Sequence, residues 1–519
     1  MKREESMLKI AGIVLLLLAV AATAHYPAEH HHHHHHYARI NTALESSALL
    51  KDNFDSEQQL ESLQECLAER RRHARQELAT CTKGKCTHAQ LEAARAFTTS
   101  SHHRIADGIS GWSNEANDAI GSVLYQGDIL LNKRQATQLA WETNRPSRHR
   151  RMAIAFETSK WNCDEPICYE FGNMSDARAA RIREALEHWS RQTCIDFKEG
   201  TCTSGGLRFI LDAGCWSYVG RISTKSGFQE ISIGYGCESF STICHEIGHA
   251  LGLWHAQARP DRDDYISLNV ANIQGQHLDQ FDKQTKETLN YYDVSYDLGS
   301  IMHYESHSFA KNRSEFTIVT KDPRYQESLR CSWWPSFADV KTINMHLCNK
   351  VCTNDLECEN LGYPNPRNCA ECKCPPAFAG PTCCDRHPGN GIDAGKEHCG
   401  AIFMAEYVWT EVKGSVGVAD SKLYDYPHEC FWHIRVPEGC RIEIFVSVAP
   451  STACTTSCRA QGIQINIGRL DAAPISYCCG NCEPRKLESE SDLVVVRVYS
   501  HWNVAKFRYW FRLKQGENA

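Results

Sequence analysis

Hydrophobic and polar positions follow different rhythms along the chain, and each rhythm marks a different kind of segment. Near the N-terminus the run IAGIVLLLLAVAATA, starting at Ile10, is apolar without interruption and closes on Ala22-Thr23-Ala24. From Asn41 to Phe97 the period is helical and the charge density high, which reads as a solvated helical face. Between Ser175 and Trp189 the apolar positions Ile182, Leu186 and Trp189 share one helical face, predicting a core-facing helix. The stretches GLRFILD and EISIGYG are short, rich in β-formers and bounded by glycine, so they predict strands, and PSFADVKTINMHLC predicts a further helix. From Cys352 the apolar texture thins out, and six cysteines stand among Gly, Pro and Asn, too little for a core without disulfides. From Cys399 onward CRIEIFVSV, GIQINIG, DLVVVRVYS and FRYWFRL show runs of β-forming residues with period-two alternation, the pattern of an all-β sandwich.

Length and composition sharpen this outline. A chain of 519 residues predicts three or four domains, and 27 cysteines place it in an oxidising compartment. The N-terminal apolar run is about 15 residues, short of the ~20 that span a bilayer, so residues 1–24 read as a signal peptide and the chain as secreted, with no membrane span afterwards. A net charge of -7 gives no support for a nucleic-acid partner. His30 to His36 form a tract that is either a native metal-binding segment or a tag, and in neither case part of a fold. The quartet Arg148-His149-Arg150-Arg151 has the shape cut by secretory-pathway proprotein convertases; cleavage after Arg151 leaves Met152 as a new N-terminus. Asn173 and Asn312 head N-glycosylation tripeptides.

The stretch that carries chemistry is CHEIGHALGLWHAQARPDRDDYI, beginning at Cys244. His245 and His249 lie four residues apart, so on a helix both imidazoles face one ion from successive turns. Glu246 sits between them, placed to hold a water. Gly252 lets the backbone leave the helix so that His255 returns as a third ligand. Three imidazoles with a position left open are the make-up of a catalytic zinc site, unlike the closed, cysteine-rich structural kind. Cys244 points about 100° away from His245 on a helix, and its expected partner is one of Cys163, Cys168, Cys202 or Cys331. Residues 152–348 hold nine cysteines and residues 352–384 seven. Two odd counts side by side predict a bridge between them, with Cys384 as the candidate. If Cys81 bonds Cys86, Cys66 is left to link pro-regions.

HEIGHALGLWHAQARPDRD resembles the astacin family of metzincin peptidases. The resemblance implies an α+β metzincin catalytic domain over residues 152–348, one zinc ion per chain, and polypeptide substrates. Metzincins carry a methionine turn under the metal, which SIMHY supplies as Met302. Tyr304, two residues on, matches the astacin tyrosine that serves as an additional zinc ligand and swings away to stabilise an oxyanion. Glu246 matches the general base. Arg259, Asp261, Arg262 and Asp263 match a charged run read as a structural ion-pair network. Cys194 with Cys348 and Cys215 with Cys237 match the family's two disulfides. Residues 25–151 become a pro-region, in which LYQGDI fits the family's F-x-G-D latch with Tyr125 as the aromatic and Asp128 as the zinc-blocking carboxylate; a thiolate latch from Cys81 or Cys86 is the competing form. Astacins carry Glu after the third histidine to meet the mature N-terminal amine, and here that position is Ala256. Residues 349–384 resemble an epidermal-growth-factor-like module built on Cys352, Cys358, Cys369, Cys372, Cys374 and Cys383. Residues 399–514 resemble a CUB domain, with Cys454, Cys458, Cys478, Cys479 and Cys482 beyond its usual four. These two modules imply protein or extracellular-matrix partners. The implied function is a secreted zinc endopeptidase made as a zymogen; the alternative is a catalytically silent protease-fold scaffold that presents its C-terminal modules. Cys331, Trp333 and Trp334 are expected to shape one side of the cleft.

Overall fold

The computed structural model describes Asn117, residues 124–132, Gln135, residues 153–154 and residues 157–514, apart from short gaps at 203–204, 223–226, 286–287, 354–355, 392–398, 421, 453–454 and 481–485. The signal segment, the histidine tract, Cys66, Cys81, Cys86, Arg151, Met152, Cys454 and Cys482 lie outside the described residues.

Strand β1 (Ala153–Ile154) is a short edge piece. Strands β2 (Ile167–Phe171), β3 (Phe197–Glu199), β4 (Gly206–Ile210), β5 (Cys215–Trp216) and β6 (Phe228–Ile233) form one sheet in the order β3-β2-β4-β6-β5. All pairs are parallel except β5 with β6, so β5 is an antiparallel edge strand. Helix α1 (Asp176–Gln192) crosses from β2 to β3. It begins at Ser175, whose hydroxyl accepts from the Arg178 N–H and so satisfies one of the free donors of the first turn. Ala179, Ile182, Ala185, Leu186 and Trp189 face the core at helical spacing. Trp189 is wholly buried and its indole N–H donates to the Cys244 carbonyl at 3.1 Å, so it fixes the next helix from below. Truncating such a buried aromatic costs about 3–5 kcal/mol.

That next helix, α2 (Phe240–Ala250), is capped by Ser239 and buried on every side. Gly248 lies against Met302: a Cβ there would stand 3.0 Å from the Met302 sulfur. Strands β7 (Ile266–Leu268), β8 (Leu289–Asn290) and β9 (Ile318–Thr320) follow; β7 pairs with β9, and β8 with β1. Helix α3 (Phe337–Leu347) opens with a reciprocal capping box between Ser336 and Asp339. Asp339 also accepts from the Ser300 hydroxyl at 2.6 Å and the Ile301 N–H at 2.9 Å, which ties α3 to the turn carrying Met302.

Beside it, burial and then the Asp339 charge push the Asp297 carboxyl up to about 7. An unfolded chain titrates this group near 3.9. The folded state therefore keeps the proton longer, so the group's contribution to stability is full below about pH 4 and is lost as the pH rises to about 7. Asp297→Asn is expected to raise the melting temperature by about 2–4 °C at pH 8 and to change it little at pH 4. Equal shifts at both pH values in thermal melts contradict that assignment.

Cys194 bonds Cys348 and Cys215 bonds Cys237. Cys168 bonds Cys202. Cys244 is unpaired, which corrects the expected disulfide: α2 buries it in the core, and burial pushes its thiol well up. Cys163 and Cys331 are also unpaired. The next module pairs Cys352 with Cys369, Cys358 with Cys372 and Cys374 with Cys383 around the hairpin of β10 (Tyr363–Asn365) and β11 (Asn368–Lys373) and the pair β12 (Phe378–Ala379) and β13 (Asp385–Arg386). Its Arg367 reaches the carbonyls of Ser190, Thr193 and Ile195 at the end of α1. Cys384 is exposed and unpaired, so the predicted bridge to the catalytic region is absent; the two regions are held by hydrogen bonds instead.

The C-terminal region is a two-sheet sandwich. Strands β14 (Ile402–Met404), β15 (Thr410–Val416), β16 (Leu423–Arg435), β17 (Ile442–Val448), β18 (Gln461–Asn466), β19 (Ile475–Tyr477), β20 (Leu487–Glu488), β21 (Leu493–Trp502) and β22 (Ala505–Leu513) form sheets β14-β16-β21-β18-β19 and β15-β22-β17-β20. Alternate residues of facing strands, such as Val494, Val496 and Val498 with Phe507, Tyr509 and Phe511, fill its core. Cys399 bonds Cys430 and Cys458 bonds Cys478, while Cys440 is unpaired. Among the described residues no helix is long and apolar enough to cross a membrane.

Candidate metal centre and catalytic cleft

Helix α2 carries His245 and His249 on one face. At its end Leu251 closes the helix, and Gly252 takes φ +115, a conformation that L side chains rarely adopt. The chain then reverses so that His255 faces the other two. The ring centroids stand 4.6 Å (His245 to His249), 4.8 Å (His249 to His255) and 5.3 Å (His245 to His255) apart. Each Nδ1 is committed elsewhere: His245 to the Ile301 carbonyl at 2.8 Å, His249 to the Leu253 carbonyl at 2.7 Å, and His255 to the Gln126 side-chain oxygen at 3.1 Å. Since those partners are acceptors, each Nδ1 holds the hydrogen and each Nε2 presents a lone pair inward.

The carboxylate of Asp128 meets all three. Its oxygens lie 3.2 Å from His245 Nε2, 3.4 Å from His249 Nε2 and 3.2 Å from His255 Nε2. All four groups are buried, and one ligand atom from each falls within 4.8 Å of the others. Three lone pairs and a carboxylate are all acceptors, so the cluster lacks a positive centre of its own. Within the described residues His249 Nε2, Asp128 Oδ1 and both Glu246 oxygens are buried without a hydrogen bond. A divalent cation with nitrogen and oxygen ligands fits this set, and zinc favours such a donor combination. Burial pushes His245 down to about 3 and lowers His255, so both stay neutral, as ligation requires.

Asp128 reaches the centre because Tyr125 and Ile129 close a tight turn, with backbone bonds of 2.8 and 3.0 Å. Gln126 and Gly127 inside it have φ of 49° and 85°, which explains the glycine of the QGD sequence. The segment then runs parallel to the edge of the sheet, through Leu130 N–H to Ser217 C=O and Ser217 N–H to Asp128 C=O. Asn117 holds both the N–H and the C=O of Cys215 with its amide, occupying the same edge. The Tyr125 ring packs edge-on to Trp254, and its hydroxyl accepts from Gln284 at 2.6 Å.

Tyr304 lies beside His255, 4.9 Å between ring centroids, but its hydroxyl donates to the Gln126 carbonyl. The expected additional ligand is therefore bonded in this arrangement to the backbone of residues 124–132, while Asp128 meets the three histidines. Glu246 faces the same space; burial and the Asp128 charge push its carboxyl well up, with Arg330 opposing. Met302 lies beneath α2, and its carbonyl accepts from the Ala256 N–H at 2.9 Å. Ala256 is buried and offers no carboxylate; β1, two residues after Arg151, pairs with Leu289 and Asn290 instead. Arg259 grips Asp261 by two bonds of 2.9 and 2.7 Å, and Arg262 pairs with Asp263 at 3.2 Å, away from the ligands. Asn173 and Asn312 are exposed. Of the residues expected to shape the cleft, Cys331 is buried against Gln464 of the sandwich, while Trp333 and Trp334 pack on its His501.

Pattern reading missed Gln126, Gln284, Arg330 and Asp339. None of them belongs to a local spacing motif; the capping signature S-x-x-D at Ser336 was the one available signal, and it marks a helix start, not a contact with the methionine turn.

Comparison with known proteins gives a consistent result. Residues 153–348 match the model of the astacin peptidase family, and residues 410–510 match that of the CUB domain. The chain is 32% identical over 404 residues to zinc metalloproteinase nas-28 of Caenorhabditis elegans, a match covering 77% of this chain and 80% of that one. It is 34% identical over 408 residues to zinc metalloproteinase nas-34 of the same organism, covering 75% of this chain and 64% of that one. Among solved structures it resembles high choriolytic enzyme 1, a hatching enzyme zinc-protease of Oryzias latipes, at 29% identity, covering 38% of this chain and 98% of that chain with a TM-score of 0.34.

Proposed function

The chain belongs to the astacin family of zinc metalloendopeptidases, and from that premise we propose that it is a secreted endopeptidase made as a zymogen latched by Asp128. The observation that carries this reading is the Asp128 carboxylate set against all three histidine Nε2 atoms, where it excludes water and substrate. In the proposal His245, His249 and His255 hold one zinc ion, which when bound supplies Lewis acidity towards water and a peptide carbonyl.

After cleavage at Arg151 the segment carrying Tyr125, Gln126 and Asp128 leaves. Three things change together. The metal face opens, the Tyr304 hydroxyl loses the Gln126 carbonyl, and Glu246 loses the neighbouring charge that helps keep its carboxyl protonated. Glu246 then takes the proton of the attacking water and passes it to the departing amine nitrogen. Tyr304 donates its hydroxyl hydrogen to the oxyanion that forms on the former carbonyl oxygen. The edge strand β5, freed of Leu130 and Asn117, offers Ser217 and Cys215 as backbone partners for an extended substrate. Peptide bonds of extracellular proteins are the substrate class, and the small disulfide module, read as epidermal-growth-factor-like, and the sandwich serve protein or matrix contacts.

Tyr304→Phe removes one donor and leaves the ring. It is expected to lower kcat by about 10²-fold with KM little changed. A loss confined to KM contradicts the oxyanion role. Metal removal tests the zinc assignment: dialysis of the processed chain against a chelator is expected to abolish cleavage, and one equivalent of zinc to restore it. Full activity in the metal-free protein excludes the proposal.

A further inference from the structure

The sandwich domain does more than follow the peptidase in sequence. Its Arg459 reaches across to the segment beneath the metal centre. Arg459 Nη2 lies 2.7 Å from Glu305 Oε1, with the two side chains only 15% and 14% exposed, and Glu305 directly follows Tyr304. Arg459 Nε donates to the Arg330 carbonyl at 3.1 Å. Arg330 is itself wholly buried, with a left-handed φ of 51° that a bulky residue adopts only when its surroundings hold it there. Its guanidinium donates to the carbonyls of Ile301 and His303, on either side of Met302. The Ile301 carbonyl is also the acceptor that fixes the Nδ1 hydrogen of His245. An ion pair to Glu305 and hydrogen bonds through Arg330 therefore link the sandwich to both neighbours of Tyr304 and to the carbonyl that orients a metal ligand.

We infer that Arg459 is a positioning residue of the active site, holding the Ile301–Glu305 turn in register so that His245 and Tyr304 are correctly aimed, and that the sandwich is thereby a structural member of the catalytic unit. The proposal rests on the peptidase reading given above. Its physical basis is that outer contacts orient the inner ligands of a metal, and that small misplacements of catalytic groups cost large factors in rate. Another contact between the two domains supplies a control. Arg181 of α1 forms a two-point pair with Asp425 at 2.7 and 3.1 Å.

The test uses the full chain. For the processed form, kcat and KM are measured per site titrated with a tight zinc-binding inhibitor. For the unprocessed form, zinc retention is measured by chelator competition, which needs no turnover. Arg459→Ala is expected to lower kcat by about tenfold with KM within about twofold, and to weaken zinc retention by a similar factor. The reversed pair Arg459→Glu with Glu305→Arg is expected to recover part of both losses. Arg181→Ala is expected to lower the melting temperature while leaving kcat per titrated site and zinc retention at wild-type values. The inference is overturned if Arg459→Ala matches wild type in both readouts, or if Arg181→Ala reproduces its losses, which would reduce the effect to loose docking. A wild-type processed chain that cleaves nothing, while zinc retention still responds to Arg459→Ala, would remove the peptidase reading and leave the positioning role standing.

Discussion

Glu246→Gln in the processed chain is expected to slow peptide cleavage by about 10³-fold, within the range that general acid–base groups contribute, while the protein keeps its zinc. The substitution preserves shape and volume, and Glu246 is not among the groups that converge on the metal position. Its two oxygens are buried, hydrogen-bond to nothing among the described residues and face the cavity that Asp128 occupies in the latched form. An amide there can neither take a proton from water nor return one to the leaving nitrogen. Zinc content measured beside the rate separates this from metal loss. A residual rate within tenfold of wild type would show that Glu246 is not the base.

Asp128→Ala in the unprocessed chain is expected to have the opposite effect, raising its cleavage of a small peptide by about 10²-fold. An intramolecular ligand whose effective concentration is about 100 times its dissociation constant leaves the site open in about 1% of molecules, equivalent to about 2.7 kcal/mol. Removing the carboxylate removes its contacts with three histidines, although Tyr125 still packs on Trp254 and Gln126 still accepts from Tyr304. The processed form, which lacks Asp128, is unaffected by the substitution. An Asp128→Ala zymogen as silent as the parent would mean that the segment blocks by bulk alone and that the carboxylate is no latch.

What could be read from the sequence was the part encoded locally. His245 and His249 are four apart on a helix, and Gly252 marks where the chain must turn to return His255. The core face of α1 and the strands of the sandwich follow from periods of 3.6 and 2. The remainder depends on contacts between distant segments. Asp339 supports the methionine turn from 38 residues away, and Gln126 accepts from His255 across 129. No spacing rule reports either. Counting cysteines failed for a related reason. Parity assumes that every thiol finds a partner, whereas α2 buries Cys244 unpaired in the core and Cys384 faces solvent unpaired. For Trp333 and Trp334 a sequence shows that aromatic side chains need covering but not that His501 of the sandwich covers them.

The central claim is that the His245–His249–His255 centre hydrolyses peptide bonds once the Asp128 segment is gone. The most direct measurement is to cleave the purified chain at Arg151, load it with one equivalent of zinc and incubate it with a diverse peptide library, reading new termini by mass spectrometry. The account predicts internal cleavages that disappear when the metal is chelated. A processed chain that binds its zinc and leaves every peptide intact would contradict it, and would make the protein a scaffold that presents its C-terminal modules.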